Sequence, residues 1–286
     1  MSGITALATR NVAVFLRDRP SVAFSLMAVA IVIALYVLFL RDNLVSTYPE
    51  LPGAGNLMDA WVMSGILAIV PVTASAGILQ SLVEDRSSGR IRDLMMTPLS
   101  PWDTAVGYLL GTFASSFALS VLAEVVCVAF LAATGCPLSA VGILTTTVLL
   151  VPSSLVASAV LYAMTCMFRS PGAFSGMFVT VSVMIGFLTG VYMPMGSMPS
   201  AMQTVSALVP ASHFASLFRD GLAGGALDAS MAGATDEVLS EFRSDMGFDL
   251  SVGGFGFGAA SSLLYCALIG VVALAASALY VSRRRA

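Results

Sequence analysis

TAVGYLLGTFASSFALSVLAEVVCVAFLAAT, residues 104–134, carries one charged side chain, Glu124, in an otherwise uncharged and largely apolar run. About 20 apolar residues suffice to cross a bilayer, so this stretch reads as a transmembrane helix rather than as the core of a soluble domain. The rest of the chain repeats the pattern. Apolar residues make up 58% of the 286 positions and charged residues 10%, against roughly 45–50% and about 25% in soluble globular chains. The mean hydropathy is +0.93.

Working outward from 104–134, five more apolar runs are long enough to span: 21–40, 61–83, 141–168, 172–192 and 257–281. The first is too long for a signal-peptide core and lacks a small-residue cleavage site, so it reads as retained. A Gly135-Cys136-Pro137 turn separates the third and fourth runs. Pro71 and Pro152 fall inside spans and are expected to kink them, as membrane helices tolerate. Residues 1–19 place Ile4, Leu7, Ala8, Val12, Phe15 and Leu16 on one helical face, which predicts an interfacial helix, with a frayed tail as the alternative. The expected fold is an all-α polytopic membrane protein, one transmembrane domain over 1–286.

All 13 basic residues are arginine. Without lysine the chain cannot form a Walker A phosphate loop or a Schiff base, so any nucleotide that drives it binds another polypeptide. One histidine and four scattered cysteines, Cys127, Cys136, Cys166 and Cys266, assemble no zinc site. The cysteines read as small buried hydrophobes. The six spans put Arg10, Arg17, Arg19, Arg86, Arg90, Arg92, Arg169, Arg283, Arg284 and Arg285 on one side, and only Arg41, Arg219 and Arg243 on the other. By the positive-inside rule both termini are expected in the cytoplasm.

EDRSSGRIRDLMMTPLSPWD, residues 84–103, is the one long charged segment on that side. Ile91, Leu94 and Met95 give a short helix an apolar stripe, Thr97-Pro98 ends it, and Ser100 or Asp103 caps the next span. Such a loop is either a docking surface or a solvated turn that fixes topology. Glu84, Gly89, Leu94 and Thr97-Pro98-Leu99-Ser100, in this spacing, resemble the first cytoplasmic loop of type-2 ATP-binding-cassette permeases, the drug, polysaccharide and nodulation-factor exporters. In that family the glycine is usually followed by Thr, with an acid two residues further. Here Arg90 and Arg92 stand in those places.

Between the last two spans, residues 193–256 hold too many prolines and glycines for a straight crossing. A piece from 200 to 209 follows Pro199, Pro210 breaks it, and a second helix from 213 to 220 follows Ser212 and stops at Gly221. Two short re-entrant helices fit this pattern. Leu188, Gly190, Met198-Pro199, Pro210, His213 and Arg219 are similar to the second signature of the same family, with Ala211 smaller than the residue expected there. An acidic stretch follows, with Asp228, Asp236, Glu237, Glu241, Asp245 and Asp249 opposed only by Arg243. It reads as a solvated outer cover, or as an attractor of cationic substrates.

The resemblance implies a bacterial, multi-pass subunit of the inner (plasma) membrane that moves a drug-like metabolite, a lipid or a lipid-linked glycan out of the cell. It implies a separate ATPase partner that carries ATP and Mg, a second copy or paralogous permease, the lipid bilayer as solvent, and no nucleic acid. No cofactor or catalytic residue is expected on this chain. The residues implied in ATPase coupling are Glu84, Gly89, Arg90, Ile91, Arg92, Leu94, Thr97 and Pro98; those of the outer re-entrant segment are Pro199, Pro210, His213 and Arg219. Glu124 is a candidate for the transport path or a structural hydrogen bond, and would be the working group of a proton-coupled transporter, the rival reading beside a membrane scaffold or immunity protein. Gly172/Gly176 and Gly186/Gly190 predict close helix packing, against another span or a second subunit.

Overall fold

The computed structural model describes residues 3–17, 19–91, 96 and 100–283. The chain enters through α1 (Gly3–Arg17). A first span follows, made of α2 (Arg19–Leu35), a π turn (Tyr36–Leu40) and α3 (Arg41–Thr47). The next three spans are α4 (Ala54–Ser87), α5 (Pro101–Ala133) and α6 (Ala140–Thr165), and the fifth is α7 (Pro171–Leu188). Four short helices then cover one end: α8 (Ser200–Leu208), α9 (Pro210–Leu222), α10 (Gly224–Ser230) and α11 (Asp236–Asp245). A hairpin of β1 (Leu250–Val252) and β2 (Phe255–Phe257) leads into the sixth span, α12 (Ala259–Arg283). Six helices are long and apolar enough to cross a membrane, as expected.

Local chemistry sets the helix ends. Ser100 and Asp103 form a reciprocal capping box at the start of α5, with Pro101 in the first turn. Ser139 and Ser170 cap α6 and α7 by accepting from the amides of Gly142 and Ala173. Gly89 has φ +82°, so it ends the extension of α4 in the left-handed region that a side chain would strain. The hairpin was not expected. Its Gly253-Gly254 turn has both φ values positive, the conformation a two-residue antiparallel connection requires.

Two span boundaries move. The helix of the first span runs past 40 through α3 to Thr47, so Arg41 lies within it. The second begins at Ala54 rather than 61, which takes Asp59 into the helix. Both changes bring a charged side chain into an apolar helix, and the two side chains, Arg41 and Asp59, form an ion pair at 2.8 Å. Pro71 and Pro152 are carried through without ending α4 or α6.

α4 is the axis of the molecule. In its most apolar window 78% of residues are buried, whereas in the first span 11% are. α5, α6, α7 and α9 all pack on α4. Lipid offers no hydrophobic drive between spans, so close fit and polar contacts hold them. Gly107 and Gly111 of α5 seat α1, since a Cβ at either would meet Leu7 or Asn11 at 2.8 Å. α1 therefore buries Leu7 and Asn11 and leaves Leu16 exposed, a face rotated from the one its apolar residues suggest. Gly221 does not stop α9, which runs on to Leu222; it lies against Gly142 of α6 so closely that neither could carry a side chain. Gly172 and Gly176 face open space within the chain, and Gly186 packs on the Tyr192 ring. Tyr280 of α12 packs in one cluster with Leu7, Leu82 and Tyr108, so both ends of the chain lie at one end of the bundle, hereafter the arginine-rich end.

Candidate functional site

At the arginine-rich end the last turn of α4 holds Asp85, 4% exposed. Tyr108 of α5 donates its hydroxyl to Asp85 Oδ2 at 2.6 Å. Arg10 of α1 donates to the same oxygen at 3.3 and 3.4 Å, and Arg90, just past Gly89, donates to Oδ1 at 3.2 Å. One carboxylate thus joins the N-terminal helix, the segment after α4 and the third span. A buried carboxylate survives only if its lone pairs are served, and here all the donors come from other elements. Arg86 ties the same turn to α6 by donating to the Thr165 carbonyl at 3.1 Å. Ile91 packs against the cluster that contains Leu7, Leu79 and Tyr108. Glu84 is exposed and accepts from Gln80 at 3.3 Å. Of the coupling residues named above, Arg92, Leu94, Thr97 and Pro98 lie outside the described residues.

The opposite end of α4 repeats the arrangement. Asp59, fully buried, accepts from Tyr36 Oη at 2.7 Å, Arg41 Nε at 2.8 Å and Arg41 Nη2 at 3.1 Å. The two arginine bonds reach both carboxylate oxygens, the bidentate geometry that makes such pairs strong. Five residues separate Tyr36 from Arg41, which would set them about 140° apart around a 3.6-residue helix. The π turn between them closes an i to i+5 bond, Arg41 N–H to Tyr36 O, and brings both onto one side. Asp59 and Asp85 stand roughly 39 Å apart along the axis at 1.5 Å per residue.

Over this second end lies the cover formed by α8 to α11 and the hairpin. Arg219 of α9 is wholly buried with no carboxylate beside it. It donates to the carbonyls of Gly247 and Thr189 at 2.8 Å each and Gly190 at 3.4 Å, and its guanidinium stands 5.0 Å from the centre of the Trp61 ring of α4. Trp61 Nε1 donates to the Met246 carbonyl at 2.6 Å, and Ser216 to that of Phe248. The end of α7, the 246–248 segment and α4 are therefore fastened through one planar fork, which suits arginine and not lysine. Burial pushes the Arg219 pKa down to about 9, which leaves it charged at neutral pH. His213 spans Ala207 O at 2.9 Å and Ser262 Oγ at 3.1 Å. A carbonyl only accepts, so Nε2 carries the proton and Nδ1 accepts from the serine. Burial lowers the imidazole pKa and keeps the ring neutral. Pro199 precedes α8 and Pro210 opens α9, so the four residues singled out here share one cover. The acidic side chains of the stretch are exposed; Arg243 bridges Asp249 and Asp220 at 2.8 to 3.0 Å.

Glu124 is 4% exposed and accepts from Thr147 of α6 at 3.0 Å through either oxygen. It does not line the principal cavity, a space of about 690 Å³ bounded by α1, the first span, α4, α5 and the fifth span. Asp59 and Asp85 were missed in the sequence for opposite reasons. Asp59 follows a glycine-rich stretch that reads as a loop, and Asp85 hides in a run of mixed charges that reads as solvated.

A family described as ABC-2 family transporter protein matches residues 39–279. The match takes in Asp59 with Arg41, Asp85 with Tyr108 and Arg90, Arg219 and the cover, and leaves out Arg10 and Tyr36. No curated protein matches the chain.

Proposed function

The chain belongs to the ABC-2 family of transporter proteins, and from that premise we propose that it is the permease of an ATP-driven exporter whose ATPase is a separate polypeptide. The arginine-rich end is its cytoplasmic face, because positively charged loops stay inside. The ATPase docks there on α1 and on the 84–101 segment. The permease pairs with a second copy or a paralogue, and the cargo is hydrophobic or amphipathic.

The observation that carries this reading is the joint at Asp85. Two surface elements, α1 and the segment that begins at Arg90, reach the same buried carboxylate on the most buried helix of the molecule. A partner that closes on ATP and shifts either element pulls on α4 directly and on α5 through Tyr108. α4 is a continuous helix of 34 residues, so a displacement at Asp85 is delivered to the far end as a rigid-body movement. There it meets Trp61 and Arg219, which fasten the outer cover. Movement of that end loosens the cover, and this is the exit step of the cycle.

The test is co-purification. A tagged chain extracted gently from its native membranes is expected to bring down one ATP-hydrolysing subunit in equal amount. Recovery of a monodisperse permease with no nucleotide-binding partner would overturn the reading.

A further inference from the structure

We propose that the cavity beside α4 is a binding groove for a long-chain amphiphile with a cationic head, held with the head at the arginine-rich end. The groove's role in transport rests on the permease reading; its occupancy by such a molecule does not.

Its length comes first. The lining follows α4 from Ile66 to Glu84, roughly 27 Å at 1.5 Å per residue, close to the hydrocarbon thickness of about 30 Å. A volume of about 690 Å³ falls in the range of ligand sites, about 300–1,000 Å³. Spread over that length it forms a narrow slot, shaped for an extended chain and not for a compact ring system. The outer wall is the first span, the least buried of the six, so an occupant enters sideways from the bilayer.

The chemistry along the slot is graded. Val29, Val32, Ile66 and Ile69 line the far part, while Gln80 and Glu84 stand at the arginine-rich end. Glu84 is the one charged residue of the lining among the described residues. Among the described residues its carboxylate is bonded by the neutral Gln80 alone, while Arg10 and Arg90 turn to Asp85 and Arg86 to the Thr165 carbonyl. A cationic head placed there completes an ion pair at the edge of a low-dielectric slot, and an anionic head is repelled. Midway, a Cβ added at Gly77 would meet nothing within 4 Å, so the slot is unobstructed at that turn of α4. An occupied Glu84 lies next to Asp85, which puts the cargo beside the joint where the ATPase acts.

The test uses the full chain in phosphatidylcholine nanodiscs with two diazirine-bearing probes of equal chain length, a hexadecyltrimethylammonium and a hexadecyl sulfate. The ammonium probe is expected to label the 66–84 peptide at least tenfold more than the sulfate. Gly77→Leu, whose Cβ enters the slot with nothing within 4 Å, is expected to lower that labelling at least tenfold. Glu84→Gln is expected to keep chain labelling and erase the preference for the cation, so the proposal stays testable if the leucine variant folds poorly. Displacement by lysophosphatidylethanolamine would identify an aminolipid as the occupant, and displacement only by dodecyltrimethylammonium a soluble alkylammonium compound. Equal labelling by both probes, or labelling indifferent to both substitutions, would overturn the proposal. No ATPase takes part, so that failure leaves the permease reading to its own test.

Discussion

Arg219 places a full charge in the interior, met among the described residues by three carbonyls and an aromatic face. Lysine keeps the charge but cannot fork, so Arg219→Lys is expected to cost about 2–4 kcal/mol of stability and to expose the 246–248 amides to hydrogen exchange. Asp85 is a different case. Its arginine partners are 41% and 66% exposed, so solvent screens much of the pairing, and Asp85→Asn is expected to cost only about 1–2 kcal/mol in thermal unfolding. His213 sets a pH dependence. Its folded pKa lies below the ordinary 6.5. As pH falls through about 6.5 the unfolded chain takes up a proton that the folded chain refuses, so stability is lost from there down to the lowered value and is fully present above. His213→Gln is expected to flatten that slope in thermal melts taken from pH 7.5 to 5. Arg219 and His213 could be picked out because their spacing resembles a family signature. Nothing local distinguishes Asp85 from the solvated acids around it; only the arrival of Arg10 and Tyr108 from distant positions does.

Among the elements, the spans and their caps were legible, since apolar length and Ser-Pro starts are written in consecutive residues. The π turn at Tyr36–Leu40 was not, because nothing in YVLFL asks for it; the demand comes from Asp59 on another helix. Gly172 and Gly176 have the small-residue spacing and face open space within the chain, whereas Gly107 and Gly111, inside the apolar run 104–134, receive α1. Gly111→Leu is expected to lift α1 from α5, seen as rapid tryptic cleavage at Arg10, which is otherwise held by Asp85. Gly77→Leu, one helix away and facing empty space, is expected to leave that cleavage slow.

At the scale of the whole molecule, a buried rod, α4, carries an Asp–Arg–Tyr cluster near each end, where α1 and α5 join it at one end and the first span at the other. In the proposed reading the arginine-rich end faces the ATPase, and a cytoplasmic reporter fused behind α12 is expected to be active while an exported one is not. With no lysine present, composition implies that any nucleotide driving the chain binds another polypeptide. It could not reveal the joint, because Asp85 gains its role only when α1 folds back on α5. The measurement that bears most directly on the account is ATP hydrolysis by the purified permease–ATPase complex carrying wild-type, Asp85→Asn or Asp85→Glu permease. An intact complex whose permease-dependent hydrolysis falls about tenfold in the asparagine variant and recovers in the glutamate variant is the predicted result. Full hydrolysis with asparagine at position 85, in a complex that assembles normally, would contradict it.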